Sequence, residues 1–306
     1  MSYWPMPEFP DIILYIESLR ARIVGEPIER VRLASPFVLR SVTPPISSIN
    51  GRVVRGLRRL GKQIVLEFDE ELFLVIHLMI AGRFQWKPRG ASIPARLGLA
   101  AFDFPSGTLL LTEAASKKRA SLYMAQGETA LASFNRGALE VLESSLESFT
   151  NALTRENHTL KRSLTDPRLF SGIGNAYSDE ILHRARLSPL KLTSKLTVDE
   201  IARLHEATKA TLSEWTTRLL DEANGKFPSK VTAFRPGMAV HGRFGEPCPV
   251  CGSPVQRIVY AENECNYCAT CQTDGRLLAD RAMSRLLKED WPRSLDEWEF
   301  HIESRR

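Results

Sequence analysis

Apolar positions along this chain change their period several times, and each change marks a new kind of element. Between Asp11 and Gly25, Ile12, Ile13, Ile16, Leu19 and Ile23 recur at helical spacing, which predicts an amphipathic helix with Gly25 as its stop. From Arg30 to about Met124 the pattern shortens into strand-like runs: Arg52–Leu60, Gln63–Phe68, Leu72–His77, Arg83–Trp86, Leu99–Phe104 and Thr108–Thr112. Gly61-Lys62, Asp69-Glu70-Glu71 and Ser106-Gly107 separate them as turns. That spacing favours a sandwich or barrel over repeated βαβ units. Around Ala138 the pattern becomes helical and stays so to about Ala223, with Thr197-Val198-Asp199-Glu200 as a capping box for one long helix. Phe227–Pro236 reads as a mobile connector, and Val255–Tyr260 as a further strand. Gly275–Glu303 carries Leu277, Leu278, Met283, Leu286 and Leu287 at helical spacing, then Trp291 and Trp298, and reads as a helical tail packed on the body. No internal repeat or low-complexity segment interrupts the series.

The strand at Val255–Tyr260 sits inside the most specific chemistry of the chain. Cys248 and Cys251 form one CxxC, and Cys268 and Cys271 a second, with sixteen residues between the inner cysteines. Each pair can place two thiolates on a tight turn, which Gly252, Pro247 and Pro249 suit. Two such turns joined by a hairpin give the closed four-sulfur site that structural zinc prefers. Two disulfides or a redox pair are the other readings. Zinc is favoured by four cysteines in so short a stretch without a signal peptide. Cys265 is left over as a free thiol. A site with all four ligands from protein holds structure in place and does no chemistry itself.

Composition narrows the class. A chain of 306 residues suggests two or three domains, and 43% apolar content suffices for packed cores. No apolar run reaches membrane-spanning length, and the N-terminus is not a charged-then-apolar signal, so a soluble, cytoplasmic protein is expected. The net charge of +5 makes a polyanionic partner plausible.

Two other stretches carry candidate chemistry. Met6-Pro7-Glu8-Phe9-Pro10 is a rigid lead-in to the first helix, in which Glu8 is favourable near the helix N-terminus. It acquires a second meaning if Pro7 is a chain terminus. A terminal proline is a secondary amine that can be neutral near physiological pH and forms an iminium with an aldehydic carbon. An internal proline nitrogen is an amide and cannot attack. Arg58-Arg59-Leu60-Gly61-Lys62 is a basic hairpin turn; its arginines read as solvated, and a lysine at its tip can approach a phosphate or a reacting carbon. In Ser171-Gly172-Ile173-Gly174-Asn175 two glycines precede a helical run, which is either a packing turn or a phosphate cradle at a helix N-terminus.

Taken in order, the chain resembles the formamidopyrimidine-DNA glycosylase/endonuclease VIII family of base-excision enzymes. The resemblance rests on Met6-Pro7-Glu8-Phe9-Pro10, Arg58-Arg59-Leu60-Gly61-Lys62, His77-Leu78-Met79-Ile80-Ala81-Gly82 and Gly172-Ile173-Gly174-Asn175-Ala176-Tyr177. It ends in Val240-His241-Gly242-Arg243 and the four-cysteine finger. Each motif is weak alone, and five in the same order are highly specific. The resemblance implies an α+β multidomain fold. Residues 1–130 would form an N-terminal catalytic β-sandwich with flanking helices, and 131–236 a helix–two-turns–helix DNA-binding domain. Residues 237–275 would form a zinc-finger β-hairpin with one structural zinc on Cys248, Cys251, Cys268 and Cys271, followed by a helical tail at 276–306. The partner it implies is damaged double-stranded DNA, bound by a monomer that is nucleoid-associated if bacterial.

Family chemistry then implies roles. Pro7, as a processed terminus, attacks C1′ of a damaged nucleotide everted from the stack, Glu8 assists proton transfers at the sugar, and Lys62 contacts a phosphate or assists the lyase step. The iminium acidifies the C2′ proton, so strand cleavage by elimination follows from the same intermediate. Lys161 and Asn175 match phosphate-binding positions that orient DNA without reading sequence.

Departures from the family pattern modify these expectations. Asn263 stands where the family finger has arginine, without its fixed charge or bidentate fork, which weakens the case for a second, δ-elimination step. Ile80 replaces a void-filling methionine and remains an apolar wedge. Glu113–Ala120 replaces an Asp-Pro-Arg-Arg-Phe-Gly loop; it stays basic through Lys118 and loses the intercalating phenylalanine, so opposite-base reading should differ. Met1–Pro5 precede Met6, so a working Pro7 requires translation to begin at Met6 and that methionine to be removed. With the extension retained, the same scaffold reads as a catalytically silent protein that binds damaged DNA.

Overall fold

The computed structural model describes residues 6–260, 263–278, 294 and 297, without the side chains of Tyr260 and Asn263. The chain forms two compact units. The first comprises residues 1–138 with 214–233, and the second 139–213 with 234–306.

In the first unit, α1 (Phe9–Ile23) begins where Glu8 and Asp11 form a reciprocal capping box and Pro10 sits in the first turn, where its missing N–H costs nothing. Ten of its fifteen residues are buried, because it touches both sheets. Arg59 lies over the Phe9 ring at 4.4 Å on one side, and Tyr15 meets Phe84 edge-on at 5.4 Å on the other. The strands follow as β1 (Arg30–Leu33), β2 (Gly56–Leu60), β3 (Gln63–Phe68), β4 (Leu72–His77), β5 (Gly82–Lys87), β6 (Gly98–Phe104), β7 (Gly107–Glu113) and β8 (Ser121–Gln126), then α2 (Glu128–Ala132). They form two antiparallel four-stranded sheets, ordered β1-β6-β7-β5 and β2-β3-β4-β8. This is the expected β-sandwich with flanking helices.

Burial explains why its strands read as runs rather than alternations. On β3 and β4, Ile64, Leu66, Leu74 and Ile76 are sealed on one face, while Val65, Phe73 and Val75 pack with Ala125 and Leu131 on the other. Strands covered on both faces are apolar at nearly every position. β1 and β8 fall inside the strand-like region and outside the predicted runs. On β1, two arginines hide the pattern: Arg32 makes a two-pronged ion pair with Asp103 on the neighbouring β6, at 2.7 and 2.8 Å. The expected mobile connector is packed instead. Phe227 lies against Tyr15 and Trp86 at 6.0 and 6.4 Å, Val231 and Ala233 are buried, and Arg83 Nε donates to the Val231 carbonyl at 2.7 Å.

In the second unit come α3 (Leu146–Thr154), capped by Ser145, α4 (Leu160–Thr165), α5 (Asn175–Arg184) and the long α6 (Val198–Ala223), whose last turns belong to the first unit. The capping box at the start of α6 is present, with Thr197 N donating to Glu200 at 2.9 Å and Glu200 N to Thr197 Oγ1 at 3.2 Å. β9 (Val255–Tyr260) and β10 (Asn263–Cys268) form an antiparallel hairpin, followed by α7 (Ala269–Thr273). Cys265 pairs with Ile258 across the hairpin and is buried with Tyr267, Ala269 and Leu277, so this thiol is a core side chain. The predicted helical tail lies outside the described residues beyond Leu278, Ser294 and Glu297 excepted. Among the described residues no helix is long and apolar enough to cross a membrane.

Candidate functional site

At the start of α1 the sequence places Pro7 and Glu8 in a fixed frame. Pro7 is buried, Glu8 is 2% exposed, and the Glu8 amide donates to Asp11 Oδ2 at 3.0 Å. Glu8 thus stands at the N-cap of α1 in a reciprocal capping box with Asp11, beyond the favourable charge expected of it there, which also fixes the residue before it. The Arg59–Phe9 contact brings β2 beside this turn. β2 and β3 are joined by Gly61-Lys62, where Gly61 takes φ +59°, so Lys62 stands at the hairpin tip.

Strand register brings further candidates to the same end of the sandwich. Gln63, next to Lys62, pairs with His77, which pairs in turn with Ser121. The segment 78–82 leaves β4 at this point, and the segment 114–120 leads into β8. Their far ends meet as well, because Gly82 pairs with Glu113. Ile80 is 37% exposed on the first of these loops. The loop is stiff: Met79 has φ +54°, the Gly82 amide donates to the Leu78 carbonyl at 2.9 Å, and a Cβ on Gly82 would collide with that carbonyl. On the second loop the buried Glu113 carboxylate accepts from the amides of Arg119 (2.8 Å) and Ala120 (3.0 Å). Lys118 Nζ is turned onto the Glu113 carbonyl, and the exposed cations of this loop are Lys117 and Arg119. His77 is held down to about 4 by burial, with the charges of Lys62 and Arg136 adding to it, so its ring is neutral at pH 7.

In the second unit, α5 presents Asn175, Asp179 and His183 at one-turn intervals with Glu180 beside Asp179, and all four reach the finger. Asn175 Nδ2 donates to the Glu264 carbonyl on β10 at 2.8 Å. Asp179 is fully buried between Lys161 Nζ (2.6 Å) and His241 Nδ1 (2.8 Å). Burial opposes its ionisation, yet Lys161 and then His241 hold the carboxyl below its usual range. Glu180 accepts from the amides of Ala239, Val240 and His241 at 2.7–2.9 Å, and burial raises its carboxyl. His183 Nε2 lies 3.3 Å from Cys248 Sγ. Lys161 Nζ also donates to the Asn175 carbonyl at 2.6 Å, so the two residues expected to hold phosphate meet at the α5 N-terminus.

The four expected ligands converge. Sulfurs of Cys248, Cys251, Cys268 and Cys271 all lie within 4.8 Å of one another, and none of these cysteines is in a disulfide. Cys248 and Cys271 are 3.9 Å apart and Cys251 and Cys268 3.4 Å. With Zn–S bonds of about 2.3 Å, sulfurs at the corners of a tetrahedron sit roughly 3.8 Å apart, so the donor set fits one structural zinc. Asn263 pairs with Tyr260 at the far end of β9–β10, and its side chain lies outside the described residues.

Comparison with known proteins places this arrangement. Three family profiles match in order: the formamidopyrimidine-DNA glycosylase N-terminal domain at residues 6–121, its H2TH domain at 139–218, and the zinc finger found in FPG and IleRS at 245–273. The formamidopyrimidine-DNA glycosylase of Heliobacterium modesticaldum is 31% identical over 278 residues, 87% of this chain and 100% of that protein. This chain belongs to the formamidopyrimidine-DNA glycosylase family. An uncharacterized formamidopyrimidine-DNA glycosylase-like protein of Mycobacterium tuberculosis is 41% identical over 149 residues, 49% of this chain and 92% of that protein. Among solved structures, the MutM (Fpg) protein of Thermus thermophilus is 29% identical, with a TM-score of 0.72 over 87% of this chain and 98% of that one. The Lactococcus lactis Fpg shares the fold, at a TM-score of 0.77 and 23% identity.

Within this family frame, Asp11, Glu113, Asp179, Glu180, His183 and His241 position others through buried contacts, a role the sequence assigned to none of them. His241 and Glu113 lie in stretches that carry or depart from the family pattern, and Asp11 stands three residues after Glu8 as a capping box requires. Asp179, Glu180 and His183 left no local signal.

Proposed function

We propose that this chain is a base-excision DNA glycosylase with abasic-site lyase activity, acting on duplex DNA that carries an oxidised or ring-opened base. The observation that supports it most is the buried Pro7-Glu8 turn, fixed by Asp11 and flanked by the Lys62 hairpin, in a domain whose family match begins at residue 6. Its relatives in Heliobacterium modesticaldum and Roseiflexus are formamidopyrimidine-DNA glycosylases, which supports the glycosylase part of this reading.

In this mechanism translation begins at Met6 and removal of that methionine frees the Pro7 amine. Its lone pair attacks C1′ of the everted nucleotide, the glycosidic bond breaks, and the base departs with a proton. Glu8 moves protons at the sugar, and Lys62 contacts the adjacent phosphate or assists elimination. Protonation of O4′ then breaks the C1′–O4′ bond, the sugar ring opens, and the resulting iminium draws electron density from C2′. Loss of the C2′ proton expels the 3′ phosphate, and water then releases the sugar remnant from Pro7. Lys161 and Asn175 hold phosphates, Ile80 fills the space left by the everted nucleotide, and the loop carrying Lys118 faces the opposite strand. Asn263 gives a neutral contact in place of the family arginine, so the reaction stops at β-elimination. Zinc holds the finger in shape. The protein acts as a monomer in the cytoplasm.

The test is base release from duplexes carrying a ring-opened or oxidised purine, using protein begun at Met6. Release that disappears in Pro7→Gly is expected. Binding to damaged duplex without release or nicking would leave a damage-recognition protein on the same scaffold.

A further inference from the structure

We infer that Asp179 is a positioning residue for DNA binding: it fixes the direction of the Lys161 ammonium and thereby makes Lys161 an effective phosphate contact. The inference rests on the reading that Lys161 meets DNA. An ammonium has three N–H donors. Two of those on Lys161 point inward, to Asp179 Oδ1 and the Asn175 carbonyl, both at 2.6 Å, and the side chain is 12% exposed. The third donor is thereby aimed rather than swept through rotamers. A long side chain that is already ordered gives up little further entropy when it binds.

Asp179 is itself held on both oxygens. It is fully buried on α5, and its second oxygen holds His241 Nδ1 at 2.8 Å. His241 is fixed in turn, since its amide donates to Glu180 at 2.9 Å and its ring stacks on Phe234 at 5.5 Å. The carboxylate thus couples one cation of α4 to the segment entering the finger. It contributes no favourable charge towards DNA, because it neutralises the lysine that it orients.

Orientation and net charge therefore predict opposite effects for Asp179→Asn. Removing a negative charge should strengthen attraction to phosphate, whereas releasing Lys161 should weaken its specific contact. The experiment measures the salt dependence of affinity for a duplex with a stable abasic-site analogue, for the full chain, Lys161→Ala, Asp179→Asn and the double variant. Zinc content and helical circular dichroism report the fold of each. Lys161→Ala should reduce the slope of log K against log salt by about 0.9, the loss of one phosphate contact. Asp179→Asn should reduce it comparably, and the double variant no further. Should Asp179→Asn lose zinc, Asp179→Glu gives the same readout with charge retained and the carboxylate displaced, and a reduced slope is again expected. A slope for the Asp179 variant that is unchanged or steeper, beside a reduced slope for Lys161→Ala, would overturn the inference alone. An unchanged slope for Lys161→Ala would remove the underlying phosphate reading and this inference with it.

Discussion

Glu8 and Asp11 hold each other across the first turn of α1: the Glu8 amide donates to Asp11 Oδ2 at 3.0 Å, and the two residues are 2% and 0% exposed. The pair satisfies orphan donors of the helix start and sets the orientation of Pro7, immediately upstream. Asp11→Ala should cost about 1 kcal/mol in unfolding free energy, as loss of a capping carboxylate does. It should lower the yield of covalent complex with abasic DNA more than it lowers DNA affinity. Denaturant unfolding and paired trapping and binding assays check both; equal losses in binding and trapping would argue that Asp11 acts only on the fold.

His77 should make stability depend on pH in a defined window. Its folded value is about 4 against an ordinary 6.5, so between those values the unfolded chain binds a proton that the folded chain does not. Stability from this group is complete above the unfolded value and is lost as pH falls towards the folded one. The full span corresponds to about 3 kcal/mol. His183 and His205 are lowered as well, mainly by burial, so the informative quantity is the difference between the natural chain and His77→Gln. Urea unfolding at pH 7 and pH 4.5 should show a smaller drop in the variant.

Glu113 closes the loop that carries Lys117, Lys118 and Arg119. Glu113→Ala leaves the Arg119 and Ala120 amides without their acceptor and should cost about 1–3 kcal/mol. Base release should then depend less on the opposite base, with trapping on an abasic duplex little changed. Rates against four opposite bases, measured beside thermal unfolding, read this directly.

Removing zinc should disable DNA binding without unfolding the sandwich. Cys268→Ser or a strong chelator should lose the single metal ion and weaken binding to an abasic duplex at least tenfold, because the hairpin loses its fixed frame. The first unit should keep its own thermal transition. Metal analysis and calorimetry separate the two effects, and binding that survives complete loss of zinc would contradict the finger's role.

Several of these features were legible in the sequence, for identifiable reasons. Leu72–His77 was predicted to the residue because it is covered on both faces, so its apolar run has sharp ends. The zinc site was legible because metal ligation requires particular residue types at particular spacing. β1 was hidden by Arg30 and Arg32, whose partner Asp103 lies on another strand. The connector looked mobile because Pro228, Ser229 and Lys230 dominate its composition, whereas the rings around Phe227 decide its packing. The α5 network was illegible for a related reason. Lys161–Asp179 spans 18 residues and His183–Cys248 spans 65, so neither leaves a local pattern. Roles for Pro7, Lys62 and Lys161 came from family resemblance, since spacing alone distinguishes neither a terminal amine nor a phosphate contact.

The central claim is that the Pro7 amine forms a covalent intermediate with the deoxyribose. Borohydride reduction on a duplex with one abasic site tests it most directly, using protein begun at Met6, with Pro7 as a free amine, and protein begun at Met1, in which the Pro7 nitrogen is an amide. A reduced adduct from the Met6 protein alone is the predicted result. No adduct from any form, with tight binding to the same duplex, would contradict it.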